Sequence, residues 1–174
     1  QGYYYSYDML GEAARTAADA ERYFQSYANA IDKIGQSPQG PSVFNRPGIS
    51  IKLSALQSRY EFSHKKQVID QIVPRLKQLA LKAKAVNIGM TIDAEEADRL
   101  DLSLDIIEAV FSDPALNGWE GFGLAIQAYQ KRCWYLIDWL AALACQHKRR
   151  LMVRLVKGAY WDTEIKLSQV AGLE

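Results

Sequence analysis

Four short aliphatic runs in this sequence each end on a polar side chain, at Lys52, Asp93, Gln127 and Arg154, and Lys157 follows just beyond the last. Any one of these could be half of an internal ion pair. Four in phase are harder to assign to packing, because desolvating a lysine, an aspartate and an arginine together costs several kcal/mol per ion unless they pair or bind something. Lysine and arginine at a low-dielectric mouth hold a carboxylate or a phosphate. Gln127 both donates and accepts, which suits the edge of a heteroaromatic ring. The stretch "RLMVRLVKGAYWDTEI" adds Gly158, where a backbone can approach a ligand closely. Tyr160 and Trp161 follow it and offer flat surfaces for stacking on a planar ring or flanking a small substrate. A turn glycine and two aromatics packed under a loop are the plainer readings of the same residues.

Other chemistries find less support. His64 falls in a predicted loop and His147 at a predicted helix end, both expected to be solvated. No Ser/His/Asp arrangement, GxGxxG or GxxxxGK[ST] occurs. Cys133 and Cys145 lie twelve residues apart in one predicted helix, so roughly 18 Å separates them along its axis and they cannot pair. That fits a reducing compartment, and two histidines with two cysteines at no metal-type spacing argue against a zinc site. The polar set therefore points to a cofactor together with a small acid.

Five strand-like stretches must position these residues: 3–10, 49–56, 86–93, 121–129 and 151–157. Helical patterns alternate with them. After the first strand, Thr16 and Asp19 are spaced as a capping box, and Ala20, Tyr23, Phe24, Tyr27, Ala28, Ile31 and Ile34 form an apolar stripe. "QSPQGPSVFNRPG" reads as a loop. Val68, Ile72, Leu76, Leu79 and Ala83 share a face of the next helix, where Pro74 predicts a kink or restart. Leu100, Leu104, Ile107 and Phe111 mark the third helix. "KRCWYLIDWLAALACQHKRR" is the fourth, with a basic end that favours its dipole.

Strand–helix alternation implies parallel strands joined by right-handed crossovers. A doubly wound sheet is aliphatic on both faces. Here Ile49, Ile51 and Leu53 oppose Ser50 and Lys52; Ile88, Met90 and Ile92 oppose Gly89, Thr91 and Asp93. Phe122, Leu124 and Ile126 oppose Gly123, Ala125 and Gln127, and Leu151, Val153 and Leu155 oppose Met152 and Arg154. One greasy face and one face of small residues ending in a polar group describe a (β/α)8 TIM-type barrel, whose site lies at the C-terminal strand ends. A complete barrel takes about 250 residues, so residues 1–174 read as the N-terminal part of one, roughly its first five βα units, with the remaining barrel units supplied from elsewhere. The chain opens on Gln1 and closes inside a helical pattern, which supports the reading as a piece of a longer polypeptide. Expressed alone it is expected to be poorly soluble, because its open strand edges favour association.

The 174 residues are 49% hydrophobic with a formal charge of +1, enough for a core and too balanced for disorder or an electrostatic nucleic-acid surface. No apolar run approaches the roughly 18 residues of a membrane helix, and no signal peptide opens the chain.

"YSYDMLGEAA", "ISIKLSAL", "TIDAEEADRLDLSLD", "IQAYQKR" and "RLMVRLVKGAYWDTEI", in that order, closely resemble the proline dehydrogenase domain of bacterial proline utilization A enzymes. The resemblance implies a distorted barrel holding FAD non-covalently and oxidising L-proline to Δ1-pyrroline-5-carboxylate by hydride transfer to flavin N5. It makes Arg154 the arginine near N5, and Gln127, Val156, Lys157, Gly158, Ala159 and Trp161 the lining of the flavin. Lys52 then helps hold the proline carboxylate, Tyr160 flanks the substrate ring, Asp93 orients the active-site arginines, and Asp8 has a positional role. It also implies a membrane quinone as electron acceptor and a cytoplasmic location, with peripheral association to the inner membrane. The family's later arginine pair and specificity-setting tyrosine match nothing in these residues. Two other readings stand beside it: a Schiff-base lyase using Lys52 or Lys157, and a fragment inert in isolation.

Overall fold

The computed structural model describes residues 3–9, 11–37 and 40–173. Leu10 of the first expected strand, Pro38 and Gln39 of the expected loop, and Glu174 lie outside the described residues, as do Gln1 and Gly2.

Ten elements alternate along the chain: β1 (Ser6–Asp8), α1 (Ala17–Gly35), β2 (Gly48–Ile51), α2 (Lys65–Ala85), β3 (Gly89–Ile92), α3 (Leu100–Phe111), β4 (Phe122–Gln127), α4 (Cys133–Gln146), β5 (Met152–Val156) and α5 (Trp161–Val170). The strands form one parallel sheet in the order β1-β2-β3-β4-β5. That order never reverses, so the sheet has no crevice of the doubly wound kind; strands that follow one another in sequence and space are the barrel's arrangement.

Side-chain alternation decides which face is packed. Ile49 pairs with Met90 and Met90 with Phe122; Ile51 pairs with Ile92 and Ile92 with Leu124. These are almost wholly buried and form a core with Val68, Ile72, Leu76, Leu79 and Ala83 of α2 and Ile106, Val110 and Phe111 of α3. At about 1.5–3 kcal/mol per fully buried large aliphatic side chain, this layer dominates the stabilisation of the described fold.

Helix starts and stops follow local chemistry. The Thr16 hydroxyl accepts from Asp19 N–H at 3.1 Å while Asp19 Oδ2 accepts from Thr16 N–H at 3.0 Å, the expected capping box. The helix does not restart at Pro74: α2 is continuous from Lys65 to Ala85 with the proline inside it. Its buried stripe outweighs the single backbone hydrogen bond a proline removes.

The strands are shorter than their sequence patterns. The second ends at Ile51, and Leu53–Ala55 turn into a 3-10 helix that still buries Leu53. On β5 the expected outer face is bare: Val153 is 46% and Leu155 60% exposed, and α5 buries none of its residues. Cys133 and Cys145 are both free on α4. Among the described residues, no helix is long and apolar enough to cross a membrane.

Candidate active site

The C-terminal strand ends meet at one mouth. Lys52 and Asp93 each lie one residue past their strands, and Asp93 N–H donates to the Ile51 carbonyl at 2.9 Å, which keeps them level. Arg154 pairs in register with Ala125. The expectation that Gln127 occupies the same level as the other three is corrected by that register: Gln127 stands opposite Val156, one inward-facing position further along. Ala125 fills the level instead. Its small side chain leaves the Arg154 guanidinium room to cross β4 and meet Asp93.

The result is an alternating string of charges. Lys52 Nζ is 2.9 Å from both carboxylate oxygens of Asp8 and 3.2 Å from Asp93 Oδ2. Asp93 Oδ1 accepts from Arg154 Nη2, and Ser50 Oγ accepts from Arg154 Nη1 and Nη2 at 3.3 and 3.4 Å. Ser50 Oγ is also 3.3 Å from Ser6 Oγ. Lys52 and Asp93 are largely buried at the side chain, 15% and 13% exposed, whereas Asp8 is 54% exposed. Two cations and two carboxylates balance, which is how the desolvation cost is offset here. The plainer ion-pair reading and the reading as a site thus meet on three of the expected side chains, Lys52, Asp93 and Arg154, with Asp8 as the fourth charge.

Partial burial disfavours the Lys52 charge, but its hydrogen bonds and Coulomb attraction to Asp8 and Asp93 outweigh it and hold the ammonium above the ordinary lysine range. A Schiff-base nucleophile must be the neutral amine, so Lys52 is in the wrong form for the lyase reading. The Lys52 backbone N–H donates to Tyr27 Oη at 3.2 Å, and burial pushes that phenol up to about 12.

A cavity of about 520 Å³ opens over this string, lined by Glu12, Lys52, Asp93, Ala94, Ala125, Gln127, Arg154, Val156, Ala159 and Tyr160. Its size is that of a small-molecule or cofactor site. Burial, then Glu12, Glu96 and Glu95, push the Tyr160 hydroxyl up to about 12, so it stays a neutral phenol. Gln127 Nε2 donates to the Glu95 carbonyl at 2.8 Å, while its Oε1 is buried with no hydrogen-bond partner. A buried acceptor without a donor is costly, and an N–H on a ring edge would satisfy it. Gly158, at φ +120°, passes so close to Gln127 that an added Cβ would lie 3.0 Å from Oε1 and 2.3 Å from the Tyr129 ring. Backbone and amide together form a cradle that only glycine leaves open.

Seven of the expected site residues line this cavity: Lys52, Asp93, Gln127, Arg154, Val156, Ala159 and Tyr160. Gly158 backs Gln127, and Asp8 acts through Lys52. Lys157 and Trp161 are not in the lining; the Lys157 ammonium instead stands 4.2 Å over the Trp161 ring. His147 is half-buried rather than solvated, its Nε2 3.0 Å from Ser112 Oγ and its ring edge-on to Phe111. His64 bonds Ser63 Oγ at 3.0 Å, and neither histidine reaches the cavity. Among the described residues, no three His, Cys, Asp or Glu side chains are grouped to hold a metal ion.

Three contributors were not singled out from sequence. Ser50 was legible only as a small residue on the inner face. Glu12 follows β1 and Glu95 lies two residues past Asp93, so their positions in strand-to-helix loops were the available signal.

A parallel strand–helix sheet with a charged cavity at its C-terminal strand ends defines a barrel-type α/β domain with its candidate site at the barrel mouth. Comparison then gives the family. The proline dehydrogenase family model matches residues 1–174, and the chain belongs to that family. It is 56% identical over 174 residues to the bifunctional protein PutA of Klebsiella aerogenes, covering 100% of this chain and 13% of that protein. It is 53% identical over 173 residues to the bifunctional protein PutA of Rhizobium meliloti, covering 99% of this chain and 14% of that protein. The solved structure of a point variant of Bradyrhizobium japonicum proline utilization A matches at a TM-score of 0.93 and 60% identity, covering 97% of this chain and 17% of that one. The chain thus spans well under a fifth of the length of these relatives.

Proposed function

We propose that this segment contributes the FAD- and proline-binding face of a proline dehydrogenase, which oxidises L-proline to Δ1-pyrroline-5-carboxylate. The observation that carries the reading is the convergence of Lys52, Asp93, Gln127 and Arg154 from four neighbouring strand ends onto one cavity, in a chain of this family.

When bound, FAD would supply a two-electron hydride acceptor for the proline carbon next to nitrogen. The chain's residues do the rest. Gln127 Oε1, buried without a partner, would accept from an N–H on the ring edge of a bound flavin. Arg154, half-exposed in the cavity, has N–H donors beyond those used by Ser50 and Asp93, and favours negative charge developing on the ring. Lys52, kept cationic, attracts the proline carboxylate. Asp93 bridges Lys52 and Arg154 and so fixes the spacing between substrate acid and ring. The neutral Tyr160 flanks the substrate. L-proline would have to bind with its amine already unprotonated, and a bound flavin, once reduced, would be reoxidised by an acceptor such as a membrane quinone.

The test is anaerobic addition of L-proline to the full-length protein. Loss of the oxidised-flavin absorbance band is the expected outcome. A flavin that stays oxidised under saturating L-proline would overturn the proposal.

A further inference from the structure

A second string of hydrogen bonds, separate from the ionic one, ties successive strand-to-helix loops around the mouth. Ala13 N–H donates to Ser54 Oγ at 3.1 Å and Ala14 N–H to the Ser54 carbonyl at 2.9 Å. Ser54 N–H donates to Glu95 Oε1 at 3.0 Å, and Gln127 Nε2 donates to the Glu95 carbonyl at 2.8 Å. The donors and acceptors come from the loops after β1, β2 and β3 and from the last residue of β4. Glu95 is the joint: its side chain grips the loop before it and its backbone grips the strand after it.

A carboxylate this buried, only 9% exposed as a residue, needs partners to be tolerated. It has the Ser54 N–H and the Arg99 guanidinium, whose Nη1 is 3.4 Å from Oε2. These bonds fix where the Glu95 carbonyl points. That carbonyl in turn fixes the Gln127 amide, because a flipped amide would set oxygen against oxygen. With one Nε2 hydrogen committed to that carbonyl, the amide is fixed with Oε1 buried and without a partner, and a ligand that donates to it removes that cost.

We propose that Glu95 is a positioning residue for the cofactor: by anchoring its loop to Ser54 it orients Gln127, so that the cavity selects a ring edge that donates an N–H. The proposal rests on the flavin reading above and adds to it the residue that sets the polarity of the recognition. Neither Glu95 nor its loop needs to touch the flavin for this role.

A double-mutant cycle on the full-length apoprotein tests it, read as the FAD dissociation constant from quenching of flavin fluorescence. Glu95→Ala is expected to weaken FAD binding about tenfold, the scale of one buried hydrogen bond lost. Gln127→Ala is expected to do the same, and the double variant to be no weaker than the weaker single to within about twofold. Equal penalties for Glu95→Ala with and without Gln127 would overturn the proposal, as would unchanged affinity in Glu95→Ala. Should Glu95→Ala fail to melt cooperatively, Glu95→Leu replaces it under the same criterion, since it fills the space of the side chain but offers the Ser54 N–H no acceptor. Wild-type apoprotein that takes up no FAD would sink the flavin reading itself, a result distinguishable from additivity among FAD-binding variants.

Discussion

Arg154 on β5 reaches the hydroxyl of Ser50 on β2, with Nη1 3.3 Å from Oγ and two whole strands between them. Three inter-strand spacings on a flat sheet would place those backbones about 14 Å apart, more than an arginine and a serine side chain span together. The sheet must curl so that its inner face is concave, which is what barrel closure requires. Curvature is thus what converts residues 104 positions apart in sequence into neighbours. Gly123 and Ala125 on β4 leave the crossing unobstructed.

Ser50→Ala removes an acceptor shared by both terminal guanidinium nitrogens, leaving Arg154 anchored by Asp93 alone. We expect a cooperative melt with stability lower by about 1 kcal/mol, and a flavin midpoint potential shifted in the same direction as in an Arg154 variant, by less. Redox titration of the full-length protein measures it.

Arg154→Met removes the positive charge that favours electron density on the ring. Flavin reduction by L-proline is expected to slow, and the flavin midpoint potential to fall. Stopped-flow reduction and a redox titration read the two effects; an unchanged potential would remove Arg154 from this role.

Lys52→Met takes away the cation proposed to hold the substrate acid. KM for L-proline should rise by about tenfold or more, with kcat falling less, the pattern of a lost ground-state contact. Steady-state kinetics separate the two.

Gly158→Ala forces a side chain into a left-handed position already filled by the Tyr129 ring. A loss of about 1–3 kcal/mol in stability is expected, with flavin released more readily on gel filtration.

Glu95 carries the pH dependence. Burial raises its pKa above the ordinary 4.5, against the lowering from Ser54 and Arg99, with Glu96 beside it adding to the rise. A carboxyl whose folded pKa is raised binds more protons folded than unfolded, so stability falls as pH climbs from about 4.5 through the folded value. The melting temperature of wild type relative to Glu95→Gln should therefore decline over that rise. A difference that stays flat across it would contradict the assignment.

The sequence disclosed the barrel because inner and outer faces differ in kind: Ile49, Ile51, Met90, Ile92, Leu124 and Ile126 are aliphatic where Ser50, Thr91, Gly123 and Ala125 are small. It pointed to the candidate site because Lys52, Asp93 and Gln127 are polar where their strands end and Arg154 lies on the same inner face. Register lay beyond it. A two-residue shift of register between β4 and β5 decides whether Gln127 or Ala125 shares a level with Arg154, and the pattern ran on past the true ends of β1, β2 and β3. Ser50 gave no signal, since a buried serine within a strand looks the same with or without an arginine above it. The placing of the Lys157 ammonium over the Trp161 ring is likewise a contact that spacing alone does not foretell.

The measurement that tests the central claim most directly is a crystal structure of the flavin-loaded full-length protein with an unreactive proline analogue. The account predicts a flavin ring N–H on Gln127 Oε1, Arg154 beside the ring, and the analogue's carboxylate within hydrogen-bond distance of Lys52 Nζ. A flavin seated away from Gln127 and Arg154, or a carboxylate held apart from Lys52, would contradict it.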